Sequence, residues 1–262
     1  QRGQRLTPPW VAQEAQQSLG HGGQLQIRQD KPPFNDIRTR RALMLATDFQ
    51  AIHKSLNNGI GQIQSWPFVY LPTYADLYIR LDDPAMPASV RELYVYNPDK
   101  ARQLLKEAGY PSGFKITALI TSDEADYLSI FVDMWSKVGI TMSLNVQTAP
   151  VKTTIQRNHE QPEITTWGGD PLAIFYMPPT LQGTGANMGE LKDPVIEDAV
   201  FKMRKAMLTD EKQAMRIMRE LTPHMLNQAY AIPRVKRPSV NLWWPWLKNY
   251  QGEMYMGYAA LW

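Results

Sequence analysis

Apolar positions recur along the chain at two spacings, and the switch between them marks out elements. Phe114, Ile116, Ala118 and Ile120 alternate with their neighbours, as a half-buried strand requires. Leu128, Phe131, Trp135 and Val138 then follow at helical spacing up to Gly139, and Ile140, Met142, Leu144 and Val146 alternate again. Strand, helix and strand in succession predict a βαβ unit, with parallel strands and a right-handed crossover. Just upstream, Asn97 is placed to cap a helix, Pro98 fits its first position and Gly109 supplies a left-handed stop. Earlier still, Asn35 or Asp36 caps one helix, and Asp48 restarts another with Phe49, Ile52 and Leu56 on one face.

The second half continues the alternation of types. Val151 to Asn158 predicts a short helix leading into the strand "EITTW". Asp193-Pro194 opens a helix with Ile196, Val200, Met203 and Met207 inward, and a further helix from about Asp210 carries Met215, Met218, Leu221 and Met225. "QLQIRQ" (24–29) and "AYAIPRV" read as strands, and "NLWWPWLKNY" as extended chain that Pro245 confines to an edge. "PPWVAQEAQQSLG" predicts a short helix stopped by Gly20, and residues 57–96 a long irregular segment wrapped over the scaffold. The fold class is α/β: a mixed, mainly parallel sheet flanked by helices.

Composition narrows the chemistry. The 262 residues, 44% hydrophobic and 20% charged, suffice for one large domain or two small ones. A net charge of +3 without a basic tract gives no reason to expect nucleic acid. The absence of cysteine excludes disulfides, thiolate metal sites and cysteine nucleophiles. His21, His53, His159 and His224 lie scattered without metal-ligand spacing, so no metal and no cofactor are expected. There is no G-x-S-x-G elbow, phosphate-binding loop or G-x-G-x-x-G turn. Asp123 and Glu124 read as helix-start residues serving a cap and the dipole, the Met203–Met225 stripe as core, and the Lys/Arg of 99–108 and 202–216 as solvated faces.

One stretch remains, "TTWGGDP" (165–171). In an α/β sheet ligands sit beyond the carboxyl ends of strands, and Gly168 and Gly169 after such a strand would let a ligand approach the backbone closely. Asp170 then has two readings: a cap on the turn before Pro171, or a hook for an ammonium or guanidinium. Trp243, Trp244 and Trp246 crowd another stretch, either buried at a seam between lobes or, like Trp167, offering a stacking wall for a peptide or sugar. A hydrolase using Asp170 with Glu163 or His159 is the rival from another class, and no motif supplies its nucleophile.

"PPFNDIRTRRALMLATD", "YNPDKARQLLKEAGYPSGFKI", "KVGITMSLNVQ", "WGGDP" and "GANMGELKDPVIEDAV" together, in this order, resemble the extracytoplasmic solute-binding proteins for oligopeptides, dipeptides and nickel that serve ABC importers. The resemblance spans roughly 24–262 and implies one lobe of a two-lobed, periplasmic-binding-protein-like clamp about twice this length. On that basis 24–239 would be the C-terminal ligand-binding lobe, 1–23 the remnant of the hinge and first-lobe connection, and 240–262 a segment returning toward the first lobe. The first lobe and export signal would lie outside this chain. The resemblance further implies a non-enzymatic, monomeric binding component, periplasmic or otherwise extracytoplasmic and in some relatives lipid-anchored, that delivers a peptide or similar solute to the permease subunits. A sensory relative that binds without transport, and a sugar or metal-chelate ligand, are its variants. Trp167, Gly168, Gly169 and Asp170 carry over as ligand contacts, Asp170 pairing with a peptide α-amine, and Asn187 falls where relatives place an Asn near the cleft. Two features depart from the pattern. Leu172-Ala173 replaces a second Asp-Pro, and "TSDEADY" is acidic where dipeptide binders carry a base for the ligand carboxylate.

Overall fold

Capping chemistry sets most helix boundaries. In the computed structural model, which describes residues 11–13, 24–59, 63, 76–167, 187–235 and 241–243 (11–13, 167 and 241–243 by backbone alone), helix α1 (Ile37–Leu45) starts where Asp36 accepts from the Arg38 N–H at 2.8 Å. Asp48 caps α2 (Phe49–Asn57) by accepting from Ala51 N–H at 2.9 Å, and Asn97 caps α4 (Pro98–Glu107) through Lys100 N–H at 3.0 Å. Helix α3 (Ala88–Leu93) lies inside the segment expected to be irregular. It is only six residues long, and its single apolar pair, Val90 and Leu93, is buried against the rest of the fold, so tertiary contact supplies what a periodic pattern could not signal.

The predicted βαβ unit is present: β3 (Lys115–Ile120), α5 (Ala125–Ser136) and β4 (Thr141–Val146), with β3 and β4 parallel and Ile116 opposite Met142. A 3₁₀ turn, Ser122–Glu124, precedes α5. Gly113, at φ +75°, lets the turn into β3 lie against Gly139 at the turn into β4; a Cβ there would sit 1.9 Å from the Gly139 carbonyl oxygen. Helix α6 (Ala149–Arg157) leads to β5 (Ile164–Trp167), and α7 (Pro194–Met207) and α8 (Glu211–Asn227) precede β6 (Ala231–Pro233).

With β2 (Gln24–Ile27), these strands form one sheet in the order β4-β3-β5-β2-β6. β5 is parallel to β3, while β2 runs antiparallel to both β5 and β6, so four strands point one way and β2 alone opposes them. The core fills around Leu25, Ile27, Phe34, Phe131, Trp135 and Ile164, all fully buried, and the Trp135 indole donates to Thr47 Oγ1 at 3.0 Å. Ile196, Val200, Met203, Met215, Met218, Leu221 and Met225 join it, so the methionine stripe is core filler, although Met207 is only partly buried.

The arginines of α1 serve structure. Arg41 donates to the Asn227 carbonyl at 2.9 Å, and Arg40, 5% exposed, donates to the carbonyls of Phe34 and Gln228. Two cations therefore satisfy the carboxyl end of α8, where the helix dipole favours them.

A second, two-stranded sheet pairs β1 (Val11–Gln13) with β7 (Asn241–Trp243) in antiparallel register, Val11 opposite Trp243. This corrects the helix expected over 8–20 across Val11–Gln13. A partner strand more than two hundred residues away supplies the ladder, and local periodicity carries no signal for that.

Candidate functional site

The carboxyl ends of β3, β4, β5 and β6 lie at one edge of the sheet, and a group from beyond or at each end converges on Glu124. Thr121 follows β3 directly, and its N–H and hydroxyl donate to Glu124 Oε2 at 3.1 and 3.0 Å, which closes a capping box on the 3₁₀ turn. Lys152, on α6 beyond β4, donates to the same oxygen at 2.8 Å and also bonds Thr166 Oγ1. The Thr166 hydroxyl, in β5, donates to Oε2 at 2.5 Å. Arg234, one residue past β6, reaches Oε1 at 3.1 Å.

These side chains are mostly withdrawn from solvent: Glu124 is 13% exposed, Lys152 11% and Arg234 16%. Burial by itself would raise the Glu124 carboxyl, but the bonds from Lys152, Thr166 and Thr121 outweigh it and hold the group down at about 2. Glu124 is therefore ionised and paired at any physiological pH. The reading of Glu124 as a helix-start residue is thus half of its role, since the same carboxylate gathers two cations from elsewhere in the chain. Lys152 and Arg234 escape a sequence reading because the three charges are separated by 28 and 82 positions. The usable signal is that each follows the end of a strand.

Tyr127 lies beneath Arg234, whose guanidinium carbon is 4.6 Å from the ring centroid. The Tyr127 hydroxyl accepts from Val235 N–H at 2.9 Å and donates to the Val235 carbonyl at 3.3 Å; burial pushes its pKa up to about 12, so it stays protonated. A groove of about 390 Å³ opens beside this cluster, lined by Leu56, Asp123, Asp126, Tyr127, Ile130 and Arg234 among others.

Trp167 is the last residue of β5, opposite Gln24, at this same edge. Gly168, Gly169, Asp170 and Trp244 lie outside the described residues. Trp243 ends β7 opposite Val11. Asn187 is 3% exposed, and its amide is committed locally, donating to the Leu191 carbonyl at 2.8 Å and accepting from Leu191 N–H at 2.9 Å. The proposed hydrolase partners sit at the opposite edge. Glu163 precedes β5 and accepts from Thr117 N–H at 2.9 Å, and His159 pairs with Glu190 at 2.5 Å. Trp167 lies four residues along the strand from Glu163, about 13 Å at the usual rise. Among the described residues no three His, Asp or Glu are grouped to hold a metal ion.

In an open α/β sheet ligands bind beyond the carboxyl ends of the strands, the edge at which this cluster lies. The chain belongs to the bacterial extracellular solute-binding proteins, family 5, whose middle-region model matches residues 9–188. It is 25% identical over 241 residues to the periplasmic oligopeptide-binding protein OppA of Escherichia coli K12, covering 87% of this chain and 42% of that protein. It is 28% identical over 149 residues to heme-binding protein A of Haemophilus influenzae, covering 54% and 25%. The fold matches that of the periplasmic binding protein DppA of Helicobacter pylori, solved with the peptide STSA, with a TM-score of 0.69 at 21% identity, over 90% of this chain and 44% of that one. The chain thus spans less than half the length of each of these relatives.

Proposed function

We propose that this chain is one lobe of a two-lobed extracytoplasmic binding protein that captures a peptide or similar small solute between its lobes and delivers it to the membrane permease of an ABC importer. The observation that carries this reading is membership of the family 5 solute-binding proteins, together with relatives named for oligopeptide binding. In this reading residues 24–239 form the lobe, 1–23 are the remnant of the hinge and first-lobe connection and 240–262 return toward the first lobe; the pairing of Val11–Gln13 with Asn241–Trp243, which joins the two end segments, supports it. Closure by hinge motion brings the second wall onto the bound solute. The protein works as a monomer, in the periplasm or tethered outside the membrane by a lipid.

The ligand-facing group is the loop leaving β5: Trp167 offers an aromatic surface, Gly168 and Gly169 admit the ligand backbone, and Asp170 pairs with an ammonium. Trp243 and Trp244 extend the aromatic wall. Asn187 acts on this site through the loop that its amide ties together rather than through a free amide.

Calorimetric titration of the intact two-lobed protein with the tripeptide Lys-Lys-Lys tests the hook. Removing one partner of a desolvated charge pair costs about 2 kcal/mol or more, so Asp170→Ala should weaken binding by roughly thirtyfold. Equal affinities for wild type and variant would reject Asp170 as the hook.

A further inference from the structure

Every N–H of a guanidinium is a donor, and planar pairs of them match the two oxygens of a carboxylate. Arg234 uses little of that capacity inside the chain. Among the described residues its hydrogen bond runs from Nη1 to Glu124 Oε1 at 3.1 Å, and Nε is buried with no partner. The acceptor is itself shared. Glu124 Oε2 already takes Lys152 at 2.8 Å, together with the hydroxyls of Thr121 and Thr166. Two cations therefore meet one carboxylate, and the cluster keeps one positive charge in surplus although the Arg234 side chain is only 16% exposed. A charge left unpaired in a site closed to water is unfavourable, so the surplus calls for an anion from outside the chain.

The position of Arg234 fits that demand. It lines the groove of about 390 Å³, where Leu56 and Ile130 supply an apolar wall. Its guanidinium carbon lies 4.6 Å from the centroid of the Tyr127 ring, and the Tyr127 hydroxyl is bonded to both backbone groups of Val235. Ring and strand end thus hold the cation in place, and a group held in advance loses little freedom on binding. Asp123 and Asp126 line the same groove, and among the described residues neither side chain makes an ion pair. Two like charges nearby repel a dianion more than a single carboxylate, so they set the charge of the anion admitted. We propose that Arg234 is a specificity-determining residue of this edge: it holds the free terminal carboxylate of a bound peptide in the groove beside Tyr127. This rests on the reading of the chain as a peptide-binding lobe.

The test is a cycle of protein against peptide, read by calorimetric titration of the intact two-lobed protein. The probes are Lys-Lys-Lys and the same tripeptide amidated at its carboxyl end, which differ in the terminal charge alone. Wild type should bind the free acid about tenfold more tightly than the amide. Arg234→Gln should bring that ratio within about twofold, while Lys152, Thr121 and Thr166 still hold Glu124. Arg234→Lys keeps the charge opposite Glu124 and loses the planar donors; it should leave a ratio of about threefold, and it serves should the Gln variant not fold. A merely structural Arg234 would weaken both peptides alike and leave the wild-type ratio unchanged, which overturns the role. Equal binding of acid and amide by wild type overturns it whatever the variants do. If wild type binds neither peptide, the peptide-binding reading itself falls, and this assignment falls with it.

Discussion

The two edges of the sheet solve different problems. At the amino edge, side chains are spent on backbone carbonyls of turns. Arg28 Nη1 donates to the carbonyls of His159 and Gln161 at 2.9 Å each, Gln29 to that of Tyr230 at 3.1 Å, and Gln161 to that of Met188 at 2.5 Å. Asp193 accepts from His224 at 2.6 Å and from the Tyr230 hydroxyl at 2.7 Å. Three non-glycine residues adopt left-handed backbone here: His159, Glu190 and Ala229, at φ 59°, 51° and 50°. At the carboxyl edge one buried anion holds two cations. One edge is held through backbone carbonyls, and the other is braced by buried charge.

That contrast predicts unequal sensitivity. Glu124→Ala leaves Lys152 and Arg234 buried without their counter-charge and should cost about 3–5 kcal/mol in urea unfolding. Arg28→Met at the other edge removes the donor to two carbonyls and the partner of the part-exposed Asp30 carboxylate, and should cost about 1–3 kcal/mol. Equal losses would remove the distinction between a charge brace and a set of carbonyl locks.

Acid should separate the edges more finely. The Glu124 carboxyl lies near 2 in the fold against an ordinary 4.5, a depressed value. Its stabilisation is therefore complete above about pH 4.5 and is lost as pH falls through about 2. Asp193 is also depressed: burial opposes the shift, and His224 and Tyr230 outweigh burial, so it acts in the same direction from the amino edge. Glu124→Gln should flatten the acid limb of a stability–pH curve without abolishing it. A limb unchanged in that variant would place the acid sensitivity elsewhere.

Much of this fold is legible in the sequence because its signals are local. Asp36, Asp48, Asn97 and Asp193 each cap the helix they precede, within three residues. The βαβ unit declares itself through alternation and helical spacing. What escapes is non-local. Val11–Gln13 becomes a strand because Asn241–Trp243 pairs with it, and the Arg-rich α1 turns out to cap α8 because the two helices meet in space. The candidate edge is legible as a place, the strand end before two glycines, but its brace is not. No spacing rule joins Glu124 to Lys152 and Arg234; only the sheet order β4-β3-β5-β2-β6 brings those strand ends together.

The smallest expected effect sharpens the comparison most. Glu190 combines a left-handed backbone with a contact to His159 at 2.5 Å in which both side chains keep part of their exposure. Left-handed backbone costs a residue with a Cβ about 1 kcal/mol, which glycine avoids. A partly exposed pair of this kind contributes up to about 1 kcal/mol. Glu190→Ala loses the contact and keeps the strain, so it should fall about 1 kcal/mol below wild type. Glu190→Gly loses the contact and relieves the strain, and should come within about 0.5 kcal/mol of wild type. Glu124 offers no such compensation: its φ of −95° is ordinary, so Glu124→Gly should be at least as damaging as Glu124→Ala. Glycine that rescues at 190 and fails at 124 would show that turn geometry is the amino edge's burden and buried charge the carboxyl edge's; a glycine no better than alanine at 190 would break that assignment.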